Sequence, residues 1–283
     1  MPAFTAPDGT ELAYQVMGEG EPLLCLPGGP MRASAYLGDL GGLSKHRRLI
    51  VLDLRGTGAS GIPADPATYR CDRQVTDVEA LRAHLGLERV DLLAHSAGGD
   101  LALLYAARYP RRVRTLTLVT ARARALGVDF TEEHRREAAA LRKAEPWFAD
   151  ANESYERIWA GSGTDADWDA VAPFFYGRWD TAAQAHAASD VEQSNEEAAE
   201  LYASPDAFDP VEAARAVVAG WDARVLLLAG ELDSGPLPRV AAAIAELFRA
   251  AETVVLPGAG HFPWLDDPRR FAETVNAFLD QGH

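Results

Sequence analysis

The chain has 283 residues, 48% hydrophobic and 8% aromatic, a size and make-up suited to one large α/β domain carrying an insertion, and its net charge of −15 argues against a nucleic-acid partner. No apolar run approaches the roughly 18 residues a membrane helix needs, and the opening MPAFTAPDGTELAY lacks the basic-then-apolar signature of a secretory signal. Cys25 and Cys71 supply neither a disulfide framework nor metal-ligand spacing, so the expectation is a cytoplasmic protein with no membrane partner, no metal and no cofactor, its oligomeric state left open.

In chain order, the first 120 residues alternate short β-type runs with helical ones. Strands are predicted at 11–17, 22–27, 47–54, 89–95 and 113–119, with helical patterns near 34–44, 72–85 and 97–109, the last ended by Pro110. Aliphatic strands without strict alternation, separated by helices, predict a mostly parallel central sheet with helices on both faces, the α/β class. Residues 121–210 contain no convincing strand. Helices are expected near 131–145 (opened by Thr131 with Glu132 and Glu133 behind it), 151–160, 165–176 and 181–203. The alternation then resumes with a helix near 211–219, strands at 223–230 and 252–258, and helices near 237–249 and 267–280. The expected organisation is a core of residues 1–120 and 211–283, with 121–210 inserted as a helical cap. That cap holds four of the six tryptophans, and residues 121–212 carry 20 acidic residues against 8 basic ones.

The chemistry is concentrated in DLLAHSAGGDLALLYAARYP, residues 91–110. A strand that runs into Ser96 and directly into a helix makes a strained turn that lifts the hydroxyl out of the sheet. Such a turn crowds the positions two before and two after the serine, and Ala94 and Gly98 are both small. The opening of the helix leaves backbone N–H groups unpaired, that of Ala97 among them, which suits an oxyanion. A serine needs a base, and the base an orienting acid. Asp233 in LLLAGELDSGP and His261 in VVLPGAGHFPW each fall just past a predicted strand, in the order this arrangement demands, at the carboxyl edge of the sheet. The loop LLCLPGGPM follows an early strand at the same edge. Gly28 and Gly29 leave its backbone unobstructed, and the Gly29 N–H is the second expected oxyanion donor.

Together LPGGPM, DLRGTGAS, AHSAGGDLALLYAARYP, GELD and GAGHFPWLDDP resemble the α/β-hydrolase superfamily across essentially the whole chain. Gly28-Gly29-Pro30 and the stretch Asp53 to Ser60 are most similar to the proline iminopeptidase branch and its esterase relatives. The resemblance implies Ser96 as nucleophile, His261 as base, Asp233 as acid and a helical cap over the pocket. Two departures stand out. Those peptidases have His-Gly-Gly-Pro-Gly where this chain has Pro27-Gly-Gly-Pro-Met31, and glycine and tryptophan around the serine where this chain has His95 and Ala97.

Other patterns carry less. GTGASG (56–61) matches a dinucleotide fingerprint, but Ile62-Pro63 follows instead of a helix, so a loop held by Asp53 and Arg55 is expected. His134 and Glu137 share a helix face without a third metal ligand. The expected reaction is acyl transfer from a small-molecule ester or amide through a Ser-His-Asp acyl-enzyme. The aminopeptidase, the carboxylesterase, a biosynthetic thioesterase or acyltransferase, and a noncatalytic ligand receptor stay open as versions of this reading. Substrate-contact candidates are Gly28, His95, Trp147, Trp159, Phe174, Phe175 and Phe262. Glu192, Glu196 and Glu197 are candidates for a substrate amine if the acidic cap is more than a solvated surface.

Overall fold

Strands β1 (Ala3–Thr5), β2 (Glu11–Met17), β3 (Pro22–Leu26), β4 (Arg48–Leu52), β5 (Val90–His95), β6 (Val113–Val119), β7 (Arg224–Gly230) and β8 (Ala251–Leu256) form one sheet in the computed structural model, which describes residues 1–281. Their order is β1-β2-β4-β3-β5-β6-β7-β8. β1 and β2 pair antiparallel at one edge, and every pairing from β4 through β3 to β8 is parallel. The mostly parallel sheet expected from the sequence is the one observed. β1 went unread because three residues carry no detectable period.

The period of two assigns the two faces. In β3, Leu24 and Leu26 enter one apolar layer while Leu23 and Cys25 enter the other. The first layer receives α1 (Cys71–His84), α2 (Gly98–Arg108), α9 (Val211–Ala219) and α10 (Pro238–Ala245). The second receives α12 (Pro268–Asp280), whose Phe271, Val275, Phe278 and Leu279 form one stripe at helical spacing. Asp267 caps that helix by accepting the Arg270 N–H at 3.0 Å. β5 lies in the middle and is buried at all six positions, so its carboxyl end is the deepest point of the sheet edge.

Between β6 and α9 the chain is helical: α3 (Glu132–Ala140), α4 (Phe148–Trp159), α5 (Asp165–Ala170), α6 (Thr181–Ala188), α7 (Asp190–Gln193) and α8 (Glu196–Tyr202). Thr131 opens α3 as expected, its hydroxyl taking the His134 N–H while His134 Nδ1 takes the Thr131 N–H. His134 is thus a cap, and no cluster of metal-ligating side chains exists among the described residues. The single helix expected over 181–203 is three pieces. The chain turns extended at Ser194 to bridge with Arg32, and Asn195 then recaps it by accepting the Ala198 N–H. Tertiary pairing overrides a continuous helical pattern here. No helix among the described residues is long and apolar enough to cross a membrane. α11 (Pro263–Asp266) follows the last strand and precedes α12.

Candidate active site

Ser96 stands at the corner between β5 and α2 with φ of 51°, left-handed backbone that a non-glycine residue adopts only under constraint. Its N–H donates to the Val119 carbonyl and its own carbonyl accepts from Gly99 and Arg122, so the corner is held from both sides. The small residues around it have identifiable neighbours. A Cβ on Gly99 would stand 2.5 Å from the Arg122 carbonyl oxygen, and one on Gly98 would strike the Pro27 and Leu26 carbonyls. The pressure on Gly98 therefore comes from the end of β3 rather than from Ala94.

The hydroxyl of Ser96 lies 2.9 Å from His261 Nε2, and His261 Nδ1 lies 2.9 and 3.1 Å from the two oxygens of Asp233. Asp233 is fully buried and also takes the Gly235 N–H at 2.8 Å. A carboxylate on Nδ1 fixes the proton there and leaves Nε2 as the acceptor facing the serine. The loop carrying His261 is pinned by the helical segment: its N–H donates to the Phe175 carbonyl at 2.7 Å. Asp266 accepts the N–H groups of Gly260 and Gly177 as well, joining the same two pieces of chain. Burial pushes the Asp266 carboxyl up, and those backbone donors oppose the rise.

On the other side of the serine, residues 27–33 form a strap. Among the described residues, neither the Gly29 nor the Ala97 N–H donates to a protein acceptor. Gly29 has φ of 118°, which only glycine takes freely, and a Cβ on Gly28 would stand 2.8 Å from Ser96 Cβ. The strap is thus pressed against the Ser96 turn.

His95 holds these parts together. Its Nε2 lies 3.0 Å from the His261 carbonyl oxygen, which can only accept, so Nε2 bears the hydrogen. Nδ1 then accepts from the Tyr36 hydroxyl at 2.7 Å, and the Tyr36 oxygen takes the Gly28 N–H at 2.7 Å. Thr120 donates to the same His261 carbonyl at 2.9 Å. Burial, with the charge of His261 adding to it, pulls His95 well below the ordinary histidine range and keeps it neutral. The strap, His95 and the loop of His261 are therefore one hydrogen-bonded chain.

The model of the alpha/beta hydrolase fold family matches residues 21–268. The chain belongs to that family. The proline iminopeptidase of Lactobacillus helveticus is 39% identical to this α/β-hydrolase over 117 residues, 39% of this chain and 40% of the relative. The chain thus matches about two fifths of the length of such curated relatives. Among solved structures, the proline iminopeptidase of Mycobacterium smegmatis superposes with a TM-score of 0.77 at 23% identity, covering 99% of this chain and 98% of that one. An esterase from Rhodococcus sp. ECU1013 gives 0.74 at 24%, covering 100% and 99%.

Within this α/β-hydrolase the other sequence candidates divide. Gly28 and His95 are buried: the Gly28 N–H donates to Tyr36 and its carbonyl accepts the Arg32 N–H, while the His95 ring nitrogens meet the Tyr36 hydroxyl and the His261 carbonyl. Trp147, Trp159 and Phe174 pack in the helical segment's own cluster, with Phe174 edge-on to Trp147 at 5.0 Å and Trp159 stacked on Tyr155 at 4.9 Å. Phe175 and Phe262 lie beside His261, their ring centroids 5.8 and 5.2 Å from its own. Glu192, Glu196 and Glu197 are all exposed, and among the described residues no hydrogen bond or ion pair ties their side chains to the site. The GTGASG loop is held as expected: Asp53 accepts the Ser34 and Ala59 N–H groups, and Arg55 binds Asp77, Asp8 and Thr68.

Sequence reasoning missed Tyr36, which ties Gly28 to His95, Thr120 and Asp266, which hold the backbone at and before His261, and Arg32. The Arg32 side chain, 4% exposed, donates to Gln193 Oε1 (2.9 Å), Ser189 Oγ (3.0 Å) and the His186 carbonyl (3.1 Å), and pairs with Asp190 at 3.1 Å. The Ala33 N–H also donates to the Gln193 carbonyl, and Asn195 N–H to that of Met31. These partners lie over 150 positions away, so nothing local in the sequence marks them. Tyr202 completes the attachment by donating to the Ala97 carbonyl at 2.9 Å.

Proposed function

We propose that this α/β-hydrolase is a serine hydrolase that cleaves a small-molecule ester through an acyl-enzyme. The observation that carries the reading is the continuous relay from Asp233 through both nitrogens of His261 to the Ser96 hydroxyl, with hydrogen-bond distances of 2.9 Å at each end. As Ser96 Oγ attacks the carbonyl carbon, its proton passes to His261 Nε2, and Asp233 stabilises the imidazolium that forms. The free N–H groups of Gly29 and Ala97 receive the oxyanion, each worth roughly 3 kcal/mol in the transition state. The leaving oxygen takes the proton from Nε2. Water, activated by the same nitrogen, then attacks the acyl group and frees the serine. Residues 121–210 serve as a cap that keeps bulk water from the relay.

An ester is favoured over a peptide N-terminus because the cap carboxylates suited to an amine are exposed. The buried cap carboxylate Asp167 is neutralised by Arg157 at 2.6 Å. A fluorophosphonate probe is expected to label Ser96, and Ser96→Ala to remain folded while losing turnover of p-nitrophenyl esters by at least ~10³. Near-normal turnover in that variant refutes the mechanism. Faster cleavage of prolyl arylamides than of esters turns the reading to an aminopeptidase.

A further inference from the structure

The acid side of the site holds a cation without a counterion. The arginines between β6 and α9 are Arg122, Arg124, Arg135, Arg136, Arg142, Arg157 and Arg178. Among the described residues, Arg135 alone of these has a side chain with neither hydrogen bond nor ion pair. Its neighbour Arg136 pairs with Glu132 and Glu156 on the outer face of α3. Arg135 is turned the other way and half-buried. Its guanidinium lies 4.8 Å from the Phe130 ring centroid, and that of Arg122 lies 4.7 Å from the same centroid. The rim of that ring would stand 3.0 Å from a Cβ on Gly235, two residues beyond the acid Asp233. Arg122 in turn donates its N–H to the Ser96 carbonyl, and its buried Nε finds no partner.

Two guanidiniums thus share one aromatic ring between the nucleophile's turn and the acid's loop. Asp129 serves Arg122, and Asp233 is fully engaged by His261 and the Gly235 N–H. Burial pulls the Arg135 guanidinium below its ordinary value, with Tyr155 acting against that, Arg122 adding to it, and the more weakly acting Asp129 and Asp233 opposing it. A half-dehydrated cation beside another cation is unfavourable until an anion joins it. Guanidinium is the group that binds a carboxylate in a planar, two-pronged fashion. The protein's net charge of −15 makes the requirement sharper, since an anionic ligand reaches this edge against the overall field and needs a local positive site to stay.

We propose that Arg135, seconded by Arg122, binds a carboxylate carried by the substrate, so that the preferred substrates are esters with a free acid group remote from the scissile bond. This rests on the serine hydrolase reading for the reaction, while the carboxylate site itself is testable without turnover.

The experiment compares p-nitrophenyl hemiesters of adipic and suberic acid with their methyl esters, which differ only in the terminal charge. In the unaltered protein, kcat/KM for the better free acid should exceed that of its methyl ester by roughly ten- to a hundredfold, the range of one hydrogen bond to a charged group. Arg135→Ala should bring that ratio toward one, mainly through KM, and Arg135→Lys should restore part of it. The second measurement is equilibrium binding of adipate and suberate, followed by tryptophan fluorescence, in the unaltered protein and in Arg135→Ala. Circular dichroism checks that the variants fold. A ratio near one in the unaltered protein, or a ratio that Arg135→Ala leaves intact, overturns the carboxylate site. Absence of dicarboxylate binding, or binding that does not depend on Arg135, overturns it equally. If neither ester is hydrolysed and the probe fails to label Ser96, yet dicarboxylate binding requires Arg135, the hydrolase reading falls and the carboxylate site stands.

Discussion

The helical segment meets the carboxyl edge of the sheet at the strap, at the loop of His261 and near Asp233, and the first and last of these contacts are built on different principles. On the strap side, one buried arginine spends its guanidinium on four partners, and backbone hydrogen bonds from Ala33 and Asn195 run alongside it. Near the acid, the polar ties are sparse: Tyr155 donates to Ser234 at 3.2 Å, and Arg239 pairs with Glu137 at the surface. Arg135 is left without a partner there. A saturated contact fixes geometry, because each buried donor that loses its acceptor costs about 1–3 kcal/mol. An unsaturated one leaves affinity available to a ligand. The strap side is therefore the fixed contact; under the readings proposed above it serves the reaction's geometry, and the side near Asp233 serves selection of what reacts.

The largest test of that contrast is removal of the strap's clamp. Arg32→Met keeps most of the volume and deletes four polar contacts. With the strap loosened, the Gly29 N–H should no longer be held against the Ser96 turn, and as the oxyanion donor proposed above its loss should lower kcat by roughly 10²–10³. KM should change far less, and Arg32→Lys should recover part of kcat. Steady-state kinetics on a neutral ester supplies both numbers. A rise in KM with kcat unchanged would mean that the clamp binds substrate instead of setting geometry.

A smaller effect follows from pH, again on the strap side. Burial pulls His186 from 6.5 to about 4, while its Nδ1 meets the Tyr176 hydroxyl and its Nε2 the Tyr36 carbonyl. Between those two values the unfolded chain takes up a proton that the folded protein refuses. The contribution of His186 is therefore complete above about pH 6.5 and is lost as pH falls toward 4. Its full size is roughly 2 kcal/mol once partial exposure is allowed for, and the buried, neutral His95 acts in the same direction. Melting temperatures between pH 7 and pH 5 should fall less in His186→Gln than in the unaltered protein. Equal slopes in the two proteins would show that this side is not held by a neutral His186.

The parts of this molecule that were legible in the sequence are those governed by local period and local turn chemistry. β2 and β6 fall on their predicted residues because aliphatic runs bounded by glycine, proline or charge leave little choice. Ser96, Asp233 and His261 stand out in the sequence as residues just past three strands, and the fold brings their side chains within hydrogen-bond distance of one another. What was hidden is whatever depends on a partner far along the chain. The helix expected over 181–203 breaks where Ser194 reaches Arg32, and no residue near 194 announces it. The sequence lets His95 either pack or line the pocket, and only the Tyr36 hydroxyl and the His261 carbonyl reveal it as a buried tie beam. Arg135 is the converse case. Sequence alone makes it one of two adjacent arginines on a helix, and it becomes distinctive only when every neighbouring arginine proves to be paired.

The smallest expected effect completes the contrast. Arg239 and Glu137 join α10 to α3 on the acid side, with both side chains about half exposed at 52% and 50%. Water screens such a pair and two long side chains must be ordered to form it, so Arg239→Ala should change stability by no more than about 0.5 kcal/mol. Salt should erase even that difference, since the charges are open to solvent. Chemical denaturation of the variant at low and high ionic strength measures both. A loss above about 2 kcal/mol would exceed what an exposed pair supplies and would mean that α3 is anchored as firmly here as the strap is by Arg32. In that event the weak attachment of α3, and with it the division between a fixed side and a selecting side, would have to be abandoned.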